Sequence, residues 1–432
     1  MKKVLVITYY WPPSGGAGVQ RWLKFVKYLR EFGWEPVIYT PSNPEYPVID
    51  ETLAGDIPTG IEVFRTPIWE PYAFYKKFTG KKSSAKVHPG LLNDKKSSGL
   101  IEQLSVWIRG NLFIPDARKF WIKPSVRFLI KYLNINHIDA IVSTGPPHSM
   151  HLIALGVKKK LKLPWLADFR DPWTDIDFYK DLKISAYADD KHKTLEQQTI
   201  KGCDAMVVVS SEMKENYEKM GGNNIHLITN GFDPEDMGDE QIIRDQRFSI
   251  AHVGSLPPNR NPRILWQALA ELSESLPKFR NYLEIKLVGK VDQSVIDDLS
   301  RLKLSDKLNL IEYVSHDKVG QLLKQSAVLL LAINNSPNAK GILTGKFFEY
   351  LAASRPILAI GPSDGDLARI LKETEAGAIA DYHDLEGTKR IIIAMYEKFL
   401  LNNLTINPKG IEKYSRKNLT AELATILNKI TL

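Results

Sequence analysis

Two segments of the chain share one pattern, in which a short apolar run ends in a loop of small residues and a helical sequence follows. The first is KVLVITYYWPPSGGAGVQR at the N-terminus, and the second is SIAHVGSLPPNRNPRILWQAL near the middle of the chain. An apolar run of strand length, followed by glycine and an amphipathic segment, is typical of a buried parallel strand that leads into a helix. Two such starts predict an α/β protein with two domains of the nucleotide-binding type.

Strand-like and helix-like segments alternate through both halves of the chain, which is the pattern of a parallel sheet with helices on both faces. The length of 432 residues is enough for two or three domains, each with its own core. We predict a first domain over 1–236, with an insertion at about 66–125, and a second domain over 248–410. The polar segment 234–247 is predicted to be a linker, and 411–432 a C-terminal helix that returns to the first domain.

Composition places the chain among soluble globular proteins, since 44% of its residues are apolar and 25% are charged. No apolar run approaches the roughly 20 residues that a membrane-spanning helix needs. The single cysteine, Cys203, leaves no intramolecular disulfide and fits a reducing compartment. We therefore expect a cytoplasmic protein.

Much of the formal net charge of +8 is concentrated in one segment. Between Pro71 and Lys96 there are seven lysines against one acid, Asp94, and aromatic residues lead into the stretch. Basic residues interleaved with aromatics suit an anionic bilayer, so one interpretation is peripheral contact with the inner face of the plasma membrane. The other is a solvated loop, the usual state of a charge run. Nucleic acid is disfavoured as a partner, because no recognition motif accompanies the charge.

A cation and a carboxylate stand one helical turn apart at Lys346 and Glu349, within the segment TGKFFEYLAASRPILAIG. On one helical face they suit a nucleotide, with phosphate for the lysine and ribose hydroxyls for the glutamate. Upstream, Gly254 and Ser255 follow the second strand-like start, and Arg260 precedes the next helix. Backbone amides, a helix dipole and a guanidinium together can neutralise a diphosphate.

The first glycine loop contains Gly15 and Gly16, where backbone amides can approach an anion or a sugar. Such loops also occur in dehydrogenases, which need an acid at the end of the second strand to hold the ribose. The corresponding segment, EPVIYTPSN, has no acid before Glu45. A dinucleotide-dependent oxidoreductase is therefore disfavoured.

Polar residues follow two further strand-like segments of the first domain. His148 lies just after AIVSTG, where α/β sheets place their ligand crevices, or it is a packing residue beside prolines. Asp168, Arg170 and Asp171 lie at the end of PWLADF, where they either bind acceptor hydroxyls or hold the loop through internal ion pairs. Asp116, in IPDARKFW, allows the same two interpretations.

Two motif-like sequences imply neither a metal nor ATP. TDIDF at 174–178 imitates a metal-binding Asp-x-Asp motif, but no second acid cluster supports it. TGKFF imitates the end of a Walker loop, but Lys340 stands where its first glycine should be. We expect no metal ion and no cofactor.

Five short segments occur in a characteristic order and spacing: GPPHS at 145–149, ADFRDPW at 167–173, ITNGFD at 228–233, HVGSLPPNRNP at 252–262 and SRKNLTAEL at 415–423. Together with the Lys346 segment they resemble GT-B glycosyltransferases of the family 4 type, retaining enzymes that use nucleotide-sugar donors. The resemblance runs over nearly the whole chain. It implies two Rossmann-like doubly wound parallel-sheet domains with an interdomain cleft.

The resemblance also implies roles for individual residues. Arg260 and Lys346 would bind the donor diphosphate and, with His148 beside the transferred sugar, form the catalytic set. Glu349 would bind the donor ribose. The other implied donor contacts are Gly15, Gly16, Gly254, Ser255, Val314 in the loop at 313–315, Leu343 and Thr344, and the acceptor-side residues are Asp116, Asp168, Arg170 and Asp171.

One position departs from the family pattern at the sugar. Gly341 stands where the first of two glutamates separated by seven residues is expected, and that acid normally meets the transferred sugar. The resemblance implies sugar transfer, with retention, to a glycan or lipid-linked acceptor in cell-surface polysaccharide biosynthesis. Two alternatives remain at this point: a nucleotide-sugar 2-epimerase of the same build, and a non-catalytic protein that binds sugar nucleotides or polysaccharides.

Overall fold

The computed structural model describes residues 1–71, 100–238, 242–312, 314 and 316–432. Their contacts divide the chain into unit 1, Met1–Thr229 with Arg416–Leu432, and unit 2, Asn230–Ser415. The lysine-rich stretch, interpreted from sequence either as a membrane contact or as a solvated loop, falls almost entirely outside the described residues. Within the described part of the chain, no helix is both long and apolar enough to cross a membrane.

Unit 1 is built on a seven-stranded parallel sheet of strand order β3-β2-β1-β4-β5-β6-β7. Alternate residues of each strand enter cores on opposite faces: Leu5 and Ile7 pack on one side, Val4 and Val6 on the other. The strands are β1 Lys2–Ile7, β2 Trp34–Pro41, β3 Glu62–Thr66, β4 Ala140–Gly145, β5 Trp165–Phe169, β6 Ala205–Val208 and β7 Ile225–Leu227.

The helices of unit 1 cover both faces of this sheet. They are α1 Ala17–Leu29, α2 Leu100–Leu112, α3 Lys119–Leu133, α4 Ser149–Leu161, α5 Ala186–Gly202, α6 Ser211–Lys219 and, from the end of the chain, α14 Arg416–Ile430. Leu419, Leu423 and Leu427 recur every four residues on one side of α14 and join the core beneath α1. The predicted return of the C-terminal helix to the first domain is confirmed.

Unit 2 repeats the design with a six-stranded parallel sheet of order β10-β9-β8-β11-β12-β13. Its strands are β8 Phe248–Val253, β9 Leu283–Val288, β10 Leu308–Ile311, β11 Val328–Ala332, β12 Ile357–Ile360 and β13 Gly377–Ala380. Its helices are α7 Arg263–Ser275, α8 Pro277–Tyr282, α9 Gln293–Arg301, α10 His316–Gln325, α11 Gly345–Ala352, α12 Asp366–Thr374 and α13 Leu385–Leu400. Two doubly wound parallel sheets confirm the predicted α/β class.

Strand order reverses at β1 in unit 1 and at β8 in unit 2, because the next strands in the chain lie on opposite sides of each. In open parallel sheets, ligands bind outside the carboxyl ends of the strands at such a reversal. Both predicted glycine loops follow these two strands. The fold therefore places them where a ligand crevice is expected.

The segment 234–247, predicted to be a linker, instead packs on unit 2 where it is described. The Asp245 carboxylate forms an ion pair with Lys286 at 2.5 Å and accepts a hydrogen bond from the Ser249 hydroxyl at 2.6 Å. The Lys324 ammonium donates to the carbonyl of Gly238 at 2.6 Å. The sequence predicted a linker because the segment is polar and has no apolar period, but its Asp245 has partners in unit 2.

Candidate functional site

The loop after β8 depends on two glycines that approach each other closely. Gly254 and Gly289 have φ angles of +107° and +103°, which L side chains rarely adopt. A Cβ at Gly289 would lie 3.2 Å from the backbone of Gly254, and a Cβ at Gly254 would collide with the end of the Lys346 side chain. The Gly254 N–H donates to the carbonyl of Val288 at 2.8 Å. Gly254 therefore makes room for Lys346, and its amide is not the free donor that the sequence suggested.

Lys346 lies in the first turn of α11 and extends toward the loop after β8. Its Nζ is 3.5 Å from Nε2 of His252 and 3.5 Å from the carbonyl oxygen of Ser255. Burial and the neighbouring cation of Arg260 lower the pKa of Lys346 to about 8, against the opposing effect of Glu349. An anionic ligand would stabilise a partly buried ammonium that lies beside a second cation.

His252 is buried at the end of β8 and was not singled out from the sequence. Its Nδ1 lies 3.1 Å from the carbonyl oxygen of Leu330, and its Nε2 lies 3.3 Å from that of Ser255. Burial, with Lys346 nearby, lowers the pKa of His252 to about 3, so the ring is neutral at ordinary pH. A neutral ring that donates from Nδ1 to Leu330 leaves Nε2 as an acceptor for the ammonium of Lys346.

Arg260 ends a short 3-10 helix, Pro258–Arg260, just before α7. Its Nε donates to Oδ1 of Asn334 at 2.5 Å, and the Tyr382 hydroxyl donates to the carbonyl of Asn334 at 2.8 Å. Asn334 follows β11, the neighbour of β8. The structure thus brings Arg260 and Lys346 together at the carboxyl ends of adjacent strands.

The segment before α11 holds the remaining predicted donor residues of this part of the chain. Leu343 is buried, and its carbonyl accepts a hydrogen bond from the Asn230 amide at 3.2 Å. Thr344 directly precedes α11, and its buried hydroxyl oxygen has no hydrogen-bond partner among the described residues. Gly341 ends the 3-10 helix Ala339–Gly341. The hydroxyl of Thr344 and the first N–H groups of α11 are thus placed beside Lys346.

Glu349 and Val314 are the other two residues of unit 2 that were predicted to contact the donor. Glu349 lies on α11 one turn after Lys346 and is partly buried. Val314 packs against the core on one side of the unit 2 sheet. Its loop neighbours Tyr313 and Ser315 lie outside the described residues.

In unit 1, the loop after β1 turns through Gly15 and Gly16 into α1. The Gly15 N–H donates to the carbonyl of Val48 at 2.9 Å, so this amide is also used internally. Gly16 is the N-cap residue of α1 and has a φ of +83°. The N-terminus of α1 is the part of this loop that remains a candidate for contact with a ligand.

Asp168 belongs to a buried ion pair rather than to an open surface. Its carboxylate contacts the Arg21 guanidinium at 2.9 Å and accepts hydrogen bonds from the Trp22 indole at 2.7 Å and the Thr144 hydroxyl at 2.8 Å. Burial acts to raise its pKa, but Arg21 and these donors hold the pKa below the ordinary value. Of the two interpretations left open for Asp168, the internal ion pair is the one in the structure.

Arg170 and Asp116 are likewise engaged within unit 1. The guanidinium of Arg170 donates to the carbonyls of Gly18, at 2.7 Å, and Pro146. The Asp116 carboxylate accepts from the N–H of Ser149 at 2.9 Å and from its hydroxyl at 2.8 Å, which caps α4. Both residues hold loops at the carboxyl edge of the sheet. Asp171, by contrast, is exposed.

His148 is buried at the N-terminus of α4. Its ring stacks on Trp173 with centroids 4.5 Å apart, and its Nδ1 has no hydrogen-bond partner among the described residues. Burial, and then the nearby rings of His151 and His192, hold the pKa of His148 well below its ordinary value. A neutral imidazole with an unpaired buried nitrogen can form one hydrogen bond with a ligand hydroxyl, either as donor or as acceptor.

The paired aspartates of TDIDF are directed to protein groups. Asp175 accepts from the Asn216 amide at 3.2 Å, and Asp177 from the N–H of Phe178 at 2.9 Å. Among the residues that the structure describes, no three His, Cys, Asp or Glu side chains are grouped to hold a metal. The expectation that no metal is needed stays a prediction.

Residues 94–236 match the family described as Glycosyltransferase Family 4. Over this segment the chain is similar to family 4 glycosyltransferases, and its two-sheet fold is shared with solved glycosyltransferase structures. This match covers the part of unit 1 that contains His148, Asp168 and Arg170. No curated protein sequence matched the chain.

Several solved structures share the fold of the chain. WaaG, a glycosyltransferase involved in lipopolysaccharide biosynthesis, is 14% identical with a TM-score of 0.56, over 99% of this chain and 98% of WaaG. A TarM variant from S. aureus, solved with fondaparinux, α-GlcNAc-glycerol and UDP, is 10% identical with a TM-score of 0.60, over 99% of this chain and 100% of TarM. A putative UDP-N-acetylglucosamine 2-epimerase from Listeria monocytogenes is 12% identical with a TM-score of 0.54, over 98% of this chain and 94% of the epimerase.

Proposed function

We propose that this protein transfers a sugar, with retention, from a nucleoside-diphosphate sugar to a glycan or lipid-linked acceptor. The observation that carries the proposal is the partly buried ammonium of Lys346, held beside Arg260 at the strand-order reversal of unit 2. Two neighbouring cations repel each other, so a bound anion would be stabilised there, and a nucleoside diphosphate is such an anion.

The residues around this pair suit the rest of a nucleotide. Glu349, one turn along α11, is proposed to accept hydrogen bonds from the ribose hydroxyls. Thr344 and the N-terminal amides of α11 are proposed to contact phosphate oxygens, and Leu343 and Val314 to pack against the nucleoside. His252 is proposed to act indirectly, by fixing the position of the Lys346 ammonium.

The proposed reaction breaks the bond between the anomeric carbon and the diphosphate oxygen. Negative charge develops on the departing diphosphate, and Arg260 and Lys346 stabilise it in the transition state. The acceptor oxygen bonds to the same face of the anomeric carbon, and its proton passes to the departing phosphate oxygen. In unit 1, His148 is the proposed hydrogen-bond partner of the transferred sugar, and Asp171 is the remaining candidate for acceptor contact.

We place the reaction in the cytoplasm, in the assembly of a cell-surface polysaccharide. The UDP and α-GlcNAc-glycerol in the TarM structure, and the role of WaaG in lipopolysaccharide biosynthesis, support a nucleotide-sugar donor and a glycan acceptor.

Product analysis tests the proposal. A thermal-shift screen across UDP-, GDP-, ADP- and dTDP-sugars first identifies the donor, since a ligand at 100 times its dissociation constant stabilises by about 2.7 kcal/mol. That donor is then incubated with candidate acceptors. Sugar linked to an acceptor with the donor's anomeric configuration supports the proposal. Isomerised free nucleotide sugar would indicate the 2-epimerase, and binding without turnover would indicate a non-catalytic protein. Either result would contradict the proposal.

A further inference from the structure

One face of α3 is exposed and carries three basic residues and one aromatic residue. Phe120, Lys123, Arg127 and Lys131 recur at intervals of three or four residues, and all four are exposed. The helix sequence KFWIKPSVRFLIKYL contains no acidic residue. Its exposed side therefore presents one aromatic and three cations with no countercharge from the same helix.

The opposite face of α3 is fixed in the core of unit 1. Trp121 and Leu129 are buried, and the Trp121 ring stacks on Tyr39 with centroids 4.9 Å apart and an interplanar angle of 3°. The Trp121 indole also donates to the Thr66 hydroxyl at 3.0 Å. The exposed side of α3 is thus carried on a rigid support.

Large apolar side chains gather at the N-terminal end of this face. Trp69, 55% exposed, packs edge-on against Phe120, 43% exposed, with centroids 4.8 Å apart. Phe113 lies 6.2 Å from Phe120, and the Lys119 ammonium lies 5.2 Å from the Phe120 ring centroid. Leu112, whose carbonyl accepts a hydrogen bond from Lys119, is 52% exposed. A single exposed aromatic needs no explanation, but a contiguous group marks an interaction surface.

We propose that Trp69, Leu112, Phe120, Lys123, Arg127 and Lys131, the aromatic–basic face, bind the headgroup region of an anionic lipid bilayer. The three cations complement the negative surface potential of such a bilayer. Trp69 and Phe120 supply large apolar rings of the kind that enter the boundary between headgroups and acyl chains. A soluble polyanion would satisfy the cations but leave Trp69, Phe120 and Leu112 in water. The face thereby extends the proposed function, because it would bring the enzyme to a lipid-linked acceptor.

Vesicle co-sedimentation of the full chain tests this surface without donor or acceptor, so its outcome does not depend on the proposed transfer reaction. Phosphatidylcholine vesicles are compared with vesicles that also contain phosphatidylglycerol. We expect binding to the anionic vesicles only. The triple variant K123Q/R127Q/K131Q should bind about 100-fold more weakly, at about 1 kcal/mol for each cation near the surface. The double variant W69A/F120A should lose the binding that persists at high salt.

A matched control uses three exposed lysines of unit 2, in K278Q/K372Q/K398Q, which makes the same change in net charge. It should bind anionic vesicles as the wild type does. Every variant retains the lysine-rich stretch after Pro71, so differences between variants report the aromatic–basic face alone. Wild-type binding by K123Q/R127Q/K131Q, an equal loss in the control, or binding to dextran sulfate without binding to vesicles would overturn the proposal.

Discussion

The Lys346 ammonium occupies the space that a side chain at position 254 would need. Gly254 also has a φ of +107°, so both its conformation and its neighbour require glycine. The glycine loop therefore contributes to the candidate site mainly by letting a lysine from α11 lie against the end of β8. This relationship gives the first prediction.

Gly254→Ala should displace the Lys346 ammonium and weaken donor binding by about tenfold or more, as the loss of a charge-assisted hydrogen bond does. Titration of the donor by calorimetry measures the effect. Gly410→Ala is the control, because Gly410 also has a positive φ, of +59°, but has open space around it. Similar donor affinities in the two variants would show that the Gly254–Lys346 contact has no functional role.

Arg260→Ala and Lys346→Ala should each lower kcat/KM, because each cation is proposed to bond to the departing diphosphate. The expected loss of transition-state stabilisation is about 1.5 to 3 kcal/mol for each variant. Steady-state kinetics with the identified donor measures this. Lys340→Ala, which removes an exposed ion pair with Asp364, serves as the control and should change little. Unchanged kinetics in folded Arg260→Ala and Lys346→Ala proteins would remove both residues from the site.

Activity should fall as the pH rises above about 8. Burial, followed by the effect of Arg260, lowers the pKa of Lys346 to about 8, so the free enzyme loses this cation as the pH passes that value. The pH dependence of kcat/KM reports the free enzyme and is the appropriate measurement. In Lys346→Arg the guanidinium stays charged, so the fall near pH 8 should disappear. An identical alkaline limb in both proteins would assign the titration to another group.

Asp168→Asn should destabilise unit 1 by about 3 to 5 kcal/mol, because it leaves the buried Arg21 guanidinium without its counterion. Denaturant unfolding measures the loss, and Asp171→Asn, at an exposed position, should stay within about 0.5 kcal/mol of the wild type. The pKa of Asp168 is depressed in the folded state, so this stability is present above the unfolded pKa of about 3.9 and is lost as the pH falls below it. Wild-type stability in Asp168→Asn would return Asp168 to the acceptor-side candidates.

The elements that were predictable from sequence are those whose signal is local. The strand, glycine loop and helix at each half follow from short-range periodicity, and Lys346 and Glu349 are one turn apart on any helix through them. Partners distant in sequence were not predictable. Asp168 pairs with Arg21 across 147 positions, and Asp245 with Lys286 across 41, so neither pairing has a sequence signature.

The missed and misassigned site residues have the same physical origin. His252 was missed because a histidine in an apolar strand reads as a core residue, and only its Nε2 contact with Lys346 distinguishes it. Gly254 and Gly15 were predicted to offer amides to a ligand, but the carbonyls that use those amides, of Val288 and Val48, belong to other segments. Hydrogen-bond partners across a fold decide which groups remain for a ligand.

A crystal structure of the chain with the nucleoside diphosphate of its donor tests the donor site most directly. We expect phosphate oxygens within hydrogen-bond distance of the Lys346 ammonium and the Arg260 guanidinium at the N-terminus of α11, with no metal ion between phosphate and protein. Phosphates seated elsewhere, for example in the unit 1 groove lined by Lys159, Lys193 and Lys201, would contradict the assignment. So would a divalent ion that joins the phosphates to carboxylates.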